Sequence, residues 1–286
     1  MVKTQSKKLK IFLFIIFVFS FQARAFDLDL NLSAGNFAFL DDGTFLPKVP
    51  DFGFGVEITD TFTDMVGAVF NIKRTPVIGN LLKARVTFGG QKFLFSLGPS
   101  IGILNRAHKK GEFSSVFQPG MGVGMHIQTE KGFMAGFDID FSIYTGLSHK
   151  NIYINNGEVE LGMRAKNVLV SFNAKQVART WIVDSKSISS SLIDFGLNFE
   201  VFSKPSPIVF PFACIFRIAK YQNGGDSSLD SSLGALLLKA GLIHNIYNGV
   251  GYYIIAEVPV YSRALKGEPP KTFRYNLTLG TKFNFD

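Results

Sequence analysis

From Phe273 to Phe285 this chain alternates without interruption. Phe273, Tyr275, Leu277, Leu279, Thr281, Phe283 and Phe285 fall on one side, and Arg274, Asn276, Thr278, Gly280, Lys282 and Asn284 on the other. A strict period of two places the first set on one face of a β-strand and the second on the opposite face. Thirteen residues is about twice the usual strand of a globular protein, roughly five or six residues. It suits a tilted strand crossing a bilayer, which needs roughly 9–11 residues plus interfacial ends. Aromatic residues cap the apolar face at both ends with aliphatic ones between them, as in the girdles of a membrane barrel. The last edge strand of a secreted β-sandwich is the competing reading of this stretch alone.

The rest of the chain repeats the rhythm. No segment after residue 25 shows a 3.6-residue period, whereas period-two segments recur to the C-terminus, fourteen in all. Examples are Phe26/Leu28/Leu30/Leu32, Leu82/Ala84/Val86/Phe88 and Ile193/Phe195/Leu197/Phe199/Val201. The connections alternate in length. Long ones are expected at 39–49, 74–79, 105–114, 146–157, 177–188, 221–231 and 262–271, and short ones at 60–63, 89–91, 129–131, near Lys166, 203–207 and 245–249. A transmembrane barrel sorts its turns this way, short on the periplasmic side and long outside; a sandwich has no reason to. The expected fold is therefore an all-β, antiparallel, up-and-down transmembrane β-barrel of about fourteen strands (12–14), forming a single domain over residues 26–286. Its first and last strands must meet, because every backbone donor and acceptor in lipid needs a partner.

The terminal strand also resembles the C-terminal signature of bacterial outer-membrane β-barrel proteins, carried here by Tyr275, Leu277, Leu279, Phe283 and Phe285. The resemblance implies that these residues are what the barrel-assembly machinery recognises. Asp286 departs from the pattern by following the aromatic that would stand last. In length and strand number the chain looks like monomeric fourteen-stranded porins. It looks less like long-chain fatty-acid transporters, whose N-terminal plug has no counterpart if the first strand starts at Phe26.

Residues 1–25 read as a cleaved export signal. Lys3, Lys7, Lys8 and Lys10 precede the apolar run Ile11–Phe21, and Ala23-Arg24-Ala25 supplies a small-x-small cleavage site. Eleven apolar residues fall short of the roughly 18 needed for a spanning helix. Removing the signal takes five basic residues and leaves 25 basic against 22 acidic, so the net charge falls from +8 to +3. Nucleic-acid binding loses its electrostatic argument with them. A single cysteine, Cys214, excludes an intramolecular disulfide framework. The expected location is the outer membrane, with its lipids as surroundings.

Function is expected on the inward face. It carries Asp27, Asp29, Glu57, Asp138, Asp140, Glu158, Glu160, Asp194, Glu200 and Glu257, together with Lys83, Arg85, Arg164, Arg217, Lys239, Arg274, Lys282 and His126. Charges at this density imply a water-filled lumen or a salt-bridge network across a closed one. Inward glycines such as Gly53, Gly55, Gly120, Gly122, Gly124 and Gly196 leave room. The expected function is a porin-like channel for passive diffusion of small hydrophilic solutes, weakly cation-selective. The alternatives are a structural or adhesin-type surface barrel without an open pore, or a secreted soluble sandwich. An enzyme is not expected. Asp138-Ile-Asp140 superficially resembles half of an omptin-type protease site, but none of His108, His126, His149 and His244 follows an aspartate by two residues. His126 has no second metal ligand two residues away. No cofactor or metal is expected. Lys175 and Arg179 beside Trp181 suggest an interfacial anchor, and the basic loop 105–112 reads as solvated.

Overall fold

The computed structural model describes residues 25–36, 51–63, 65–75, 79–90, 92–107, 113–142, 151–183, 186–203, 207–224, 227–246, 249–266 and 274–285. In chain order the strands are β1 (Ala25–Gly35), β2 (Asp51–Thr63), β3 (Val66–Thr75), β4 (Gly79–Gly90), β5 (Phe93–Ala107), β6 (Phe113–Gln128) and β7 (Phe133–Ser142). They continue as β8 (Asn151–Ala165), β9 (Val168–Val183), β10 (Lys186–Ser203), β11 (Ile208–Asn223), β12 (Ser231–Ile246), β13 (Val250–Lys266) and β14 (Asn276–Phe285). Each pairs antiparallel with its neighbours in sequence, and β1 pairs with β14 to close the barrel. The seam runs from Phe26 opposite Phe285 to Gly35 opposite Asn276. No edge strand is left open, which is the condition for placing a sheet in lipid.

The outer surface is the apolar stripe read from the sequence. Phe195, Leu197 and Phe199 on β10, Leu238 on β12, Ile254 on β13 and Leu279 on β14 all project outward and are exposed. A continuous apolar surface around a closed barrel is what lipid covers. At the short-turn end, Gly132 (φ 89°) and Gly249 (φ 73°) adopt the left-handed backbone that tight hairpins demand. Asn245 and Asn284 stitch that end by backbone hydrogen bonds to Pro207 and Gly249.

Three expectations about boundaries need correction. The C-terminal strand has ten residues, not thirteen, and begins at Asn276. Phe273 lies outside the described residues, and Tyr275 precedes the strand. Asn36 holds Tyr275 in line: its backbone N–H donates to the Tyr275 carbonyl, and its Oδ1 accepts from the Tyr275 N–H at 2.9 Å. Secondly, the intervals 76–78 and 184–185 are as short as the turns at the opposite end, because strands occupy half of 74–79 and most of 177–188. Strands β8 to β13 run to 15–18 residues, against ten for β3, β7 and β14. Where a strand extends beyond the hydrocarbon layer its two faces no longer differ in solvent, so alternation fades although pairing continues. The third correction concerns the loop 105–112, of which residues 105–107 belong to β5. Of the signal read at 1–25, residues 1–24 lie outside the described residues, as do the loop residues 39–49 and the histidines His108 and His149, while Ala25 opens β1.

Inside, the barrel has two unlike walls. On β9 to β12 the inward side chains include Val177, Leu192, Ile215, Leu233 and Leu237, all buried. The sequence reading expected a polar face throughout. Its signal for the exception was present: 208–216 and 235–238 are apolar at both parities, the pattern of a strand buried on both faces. The charged residues lie mainly on the opposite arc and along its borders.

Candidate functional site

The register brings the candidate residues into rows that cross the strands. One runs Ser96, Gly124, Asp138, Glu158, Lys175, Asp194, Arg217 from β5 to β11. Another runs Lys282, Asp29, Glu57, Asn71, Lys83, Ser100, Gly120 from β14 through the seam to β6. Alternation puts all of them on the same face as the groups that bridge non-adjacent strands. Such bridges form only on the concave side of a barrel, where side chains converge.

The largest bridge joins β4 to β7 across two intervening strands. Arg85 Nη1 donates to Asp138 Oδ2 at 2.5 Å, and Arg85 Nη2 donates to Asp138 Oδ1 at 3.1 Å and Asp140 Oδ1 at 2.6 Å. Lys83 Nζ lies 2.8 Å from Asp138 Oδ1 and 2.6 Å from Asp140 Oδ2. Arg85 can reach because β5 and β6 present Gly98, Gly122 and Gly124 beneath it. A Cβ at Gly122 would come within 2.4 Å of both Arg85 Nη2 and Asp140 Oδ1. The inward glycines therefore do not simply widen the lumen, as the sequence reading assumed. Long polar side chains from neighbouring strands lie over them: Asn31 over Gly55, Asn173 over Gly196 and Tyr253 over Gly280.

A second bridge borders the apolar wall. Arg217 on β11 holds Asp194 through two hydrogen bonds of 2.7 Å and reaches Glu257 on β13 at 3.0 Å. Glu257 also accepts from Asn276 Nδ2 at 3.0 Å. Arg217 reaches Glu257 over β12, although Lys239 is the register partner of Glu257. The planar guanidinium fork holds Asp194 through two parallel N–H groups while a third reaches Glu257. A third bridge spans the seam: Tyr253 Oη donates to Asp29 Oδ1 at 2.8 Å, and Lys282 lies 3.6 Å from Asp29 Oδ2.

Other candidates stand apart from these bridges. Glu57 accepts from Asn71 Nδ2 at 2.5 Å. Lys175 faces Glu158 across 3.7 Å inside the barrel, so it is no part of an outer anchor around Trp181. Arg164 covers the ring of Phe202 at 4.7 Å near the short-turn end, and Arg274, outside any strand, donates to the Asn36 carbonyl at 3.1 Å. Asp27 lines a cavity of about 550 Å3 at the short-turn end with Asp29, Glu57 and Lys282. His126 and Glu160 line a smaller one of about 260 Å3, on either side of Gly136. Glu160, Glu200 and Lys239 take part in none of these bridges. Among the described residues, no three His, Cys, Asp or Glu side chains group to hold a metal.

The central space is a cavity of about 370 Å3 whose lining reaches from Glu57 on β2 to Lys175 on β9. Asp138 borders it, and both Asp138 and the buried Asp140 are ion-paired carboxylates, each held by Lys83 and Arg85. One further spacing, Gly98-Pro99-Ser100-Ile101-Gly102, matches the serine-hydrolase elbow in its letters. It lies within the extended strand β5 rather than at a strand-to-helix turn, and the register partners of Ser100 are Lys83 and Gly120, not a histidine.

No family model and no curated protein matches the chain in sequence. Solved structures do resemble its fold. An outer membrane channel from Pseudomonas putida F1 superposes with a TM-score of 0.51 at 7% identity, covering 92% of this chain and 96% of that one. OmpT, an outer membrane protein of Vibrio cholerae, in a form lacking loop L8, gives 0.46 at 8% identity, covering 92% and 100%. An anion-selective porin from Comamonas acidovorans gives 0.40 at 10% identity, covering 92% and 99%. At such identities the likeness concerns fold alone. The chain shares the closed, all-antiparallel β-barrel fold of that Pseudomonas channel.

Proposed function

We propose that this protein is a channel of the outer membrane that passes small hydrophilic solutes by diffusion, and that it is not an enzyme. The carrying observation is the central cavity: polar and charged, it extends over the interior from β2 to β9 instead of being filled by a dry core. Water in that space offsets the desolvation that so many charges would otherwise suffer. The carboxylate pair Asp138 and Asp140 is committed to Lys83 and Arg85, which argues against general acid–base use. Export by a cleaved signal, recognition of β14 by the assembly machinery and an outer belt in contact with lipid complete this reading. The acidic lining at the short-turn end, three carboxylates against one lysine, favours cations.

A barrel closed to solutes is the second reading, favoured by the buried apolar wall and the Arg217 bridge, which narrow one side of the lumen. Liposome swelling separates the two. Proteoliposomes bearing the purified barrel are expected to swell in isotonic solutions of small neutral sugars, at rates falling with solute size. Swelling no faster than protein-free liposomes would favour the closed barrel.

A further inference from the structure

The central cavity has equal numbers of acidic and basic lining residues, Glu57, Asp138 and Glu158 against Lys83, Arg85 and Lys175. Its formal balance hides an asymmetry in what those groups have left to offer. Two of the three cationic heads are occupied and withdrawn, while the third, Lys175, is 28% exposed and stands 3.7 Å from Glu158. Arg85 is 4% exposed and Lys83 21%, both bonded to Asp138 and Asp140. The carboxylates face the space: Asp138 is 44% exposed and Glu158 46%. An ionised carboxylate has about four acceptor positions. Glu57 uses one on Asn71, and Glu158 has only the long 3.7 Å approach of Lys175. Asn156, two residues before Glu158 on β8, adds a second and independent sign. Its Oδ1 is buried in the lining without a hydrogen-bond partner among the described residues, an arrangement that costs free energy unless something donates to it.

Apart from the donors of Lys175, unused capacity in this cavity is thus acceptor capacity, on opposite walls and around a volume within the range of small-ligand sites, roughly 300–1,000 Å3. We propose that it is a subsite for small organic cations bearing several N–H donors, ammonium or guanidinium compounds. The donors would be shared among Glu57, Glu158 and the Asn156 carbonyl. An anion of the same size would find Lys83 and Arg85 engaged and Lys175 standing beside the carboxylate of Glu158. This assignment names the solute class of the proposed channel and rests on that reading for its route of entry, but binding itself needs no open pore.

The test is titration calorimetry of the folded barrel in detergent, at one fixed ionic strength, with agmatine as the probe and glutarate as the anionic control. Folding of every variant is verified beforehand by heat-modifiable migration. Saturable one-to-one binding of agmatine is expected, weakened at least tenfold by Glu158→Gln and several-fold by Glu57→Gln. Glu200→Gln, which removes the same charge outside the cavity, is expected to change affinity less than twofold. Asn156→Asp is expected to tighten binding several-fold, a gain that damage to the fold would not produce. Absence of saturable agmatine binding, tighter binding of glutarate, or equal losses from Glu158→Gln and Glu200→Gln would overturn the assignment. Agmatine binding without solute permeation would remove the channel reading and leave the subsite; permeation without binding would do the reverse.

Discussion

The guanidinium of Arg85 occupies the space where a side chain at Gly122 would stand, 2.4 Å from the position of its Cβ. This one contact explains how a residue on β4 reaches carboxylates on β7, and why β6 carries glycine at position 122. Gly122→Ala is therefore expected to displace the Arg85 head and destabilise the barrel by about 1–3 kcal/mol, the usual range for overpacking. Gly157 supplies the control, since nothing lies within 4 Å of its Cβ position. Gly157→Ala should be neutral or slightly stabilising. Urea-unfolding midpoints of the two variants in detergent check the contrast.

Burial ranks the ion pairs. Arg85 and Asp140 are 4% and 3% exposed, whereas Lys92 and Glu130 are 72% and 77% exposed. Removing one partner of a buried pair strands the other charge, at about 3–5 kcal/mol. Asp140→Asn is expected near the lower end, about 3 kcal/mol, because Arg85 keeps Asp138. Glu130→Gln should cost about 0–1 kcal/mol, as solvent-screened pairs do. Equilibrium unfolding of both variants measures the difference.

The two faces of β10 differ in solvent. Leu197 is exposed on the outer stripe, while the neighbouring Asn198 points inward and donates to Ser171 Oγ at 3.4 Å. Leu197→Arg should destabilise the folded barrel in lipid by about 2–4 kcal/mol, the cost of a cation near the bilayer midplane. Asn198→Arg should cost less than half as much. Equal penalties in a folding titration into liposomes would contradict the assignment of faces.

The fold was legible because a barrel in lipid enforces a rule on every strand. Leu277 and Leu279 must face outward, Thr278 and Gly280 inward, and their alternation records that constraint residue by residue. The closure of β1 on β14 followed from the same requirement. Beyond the bilayer the rule lapses, which is why 177–183 and 186–188 read as loop although they form strands. The interior was less legible. Which charges pair depends on side chains crossing one or two strands, as Arg217 does to reach Glu257 in place of Lys239. Nothing in the spacing of either residue encodes that reach. Lys175 was drawn to Trp181 by sequence proximity, while its parity, shared with Ser171 and Asn173, already marked it as inward. The apolar wall at Ile215 and Leu237 was readable from runs apolar at both parities.

Reversal potential offers the most direct test of a water-filled, acid-lined interior. The purified barrel is inserted in a planar bilayer under a tenfold potassium chloride gradient. Discrete conductance steps are expected, with a reversal potential of the sign for cation preference. That preference should diminish in a variant combining Asp27→Asn and Glu57→Gln, which thins the acidic lining at the short-turn end. Conductance with clear anion preference would contradict the electrostatic reading, and no conductance from correctly folded protein would contradict the channel itself.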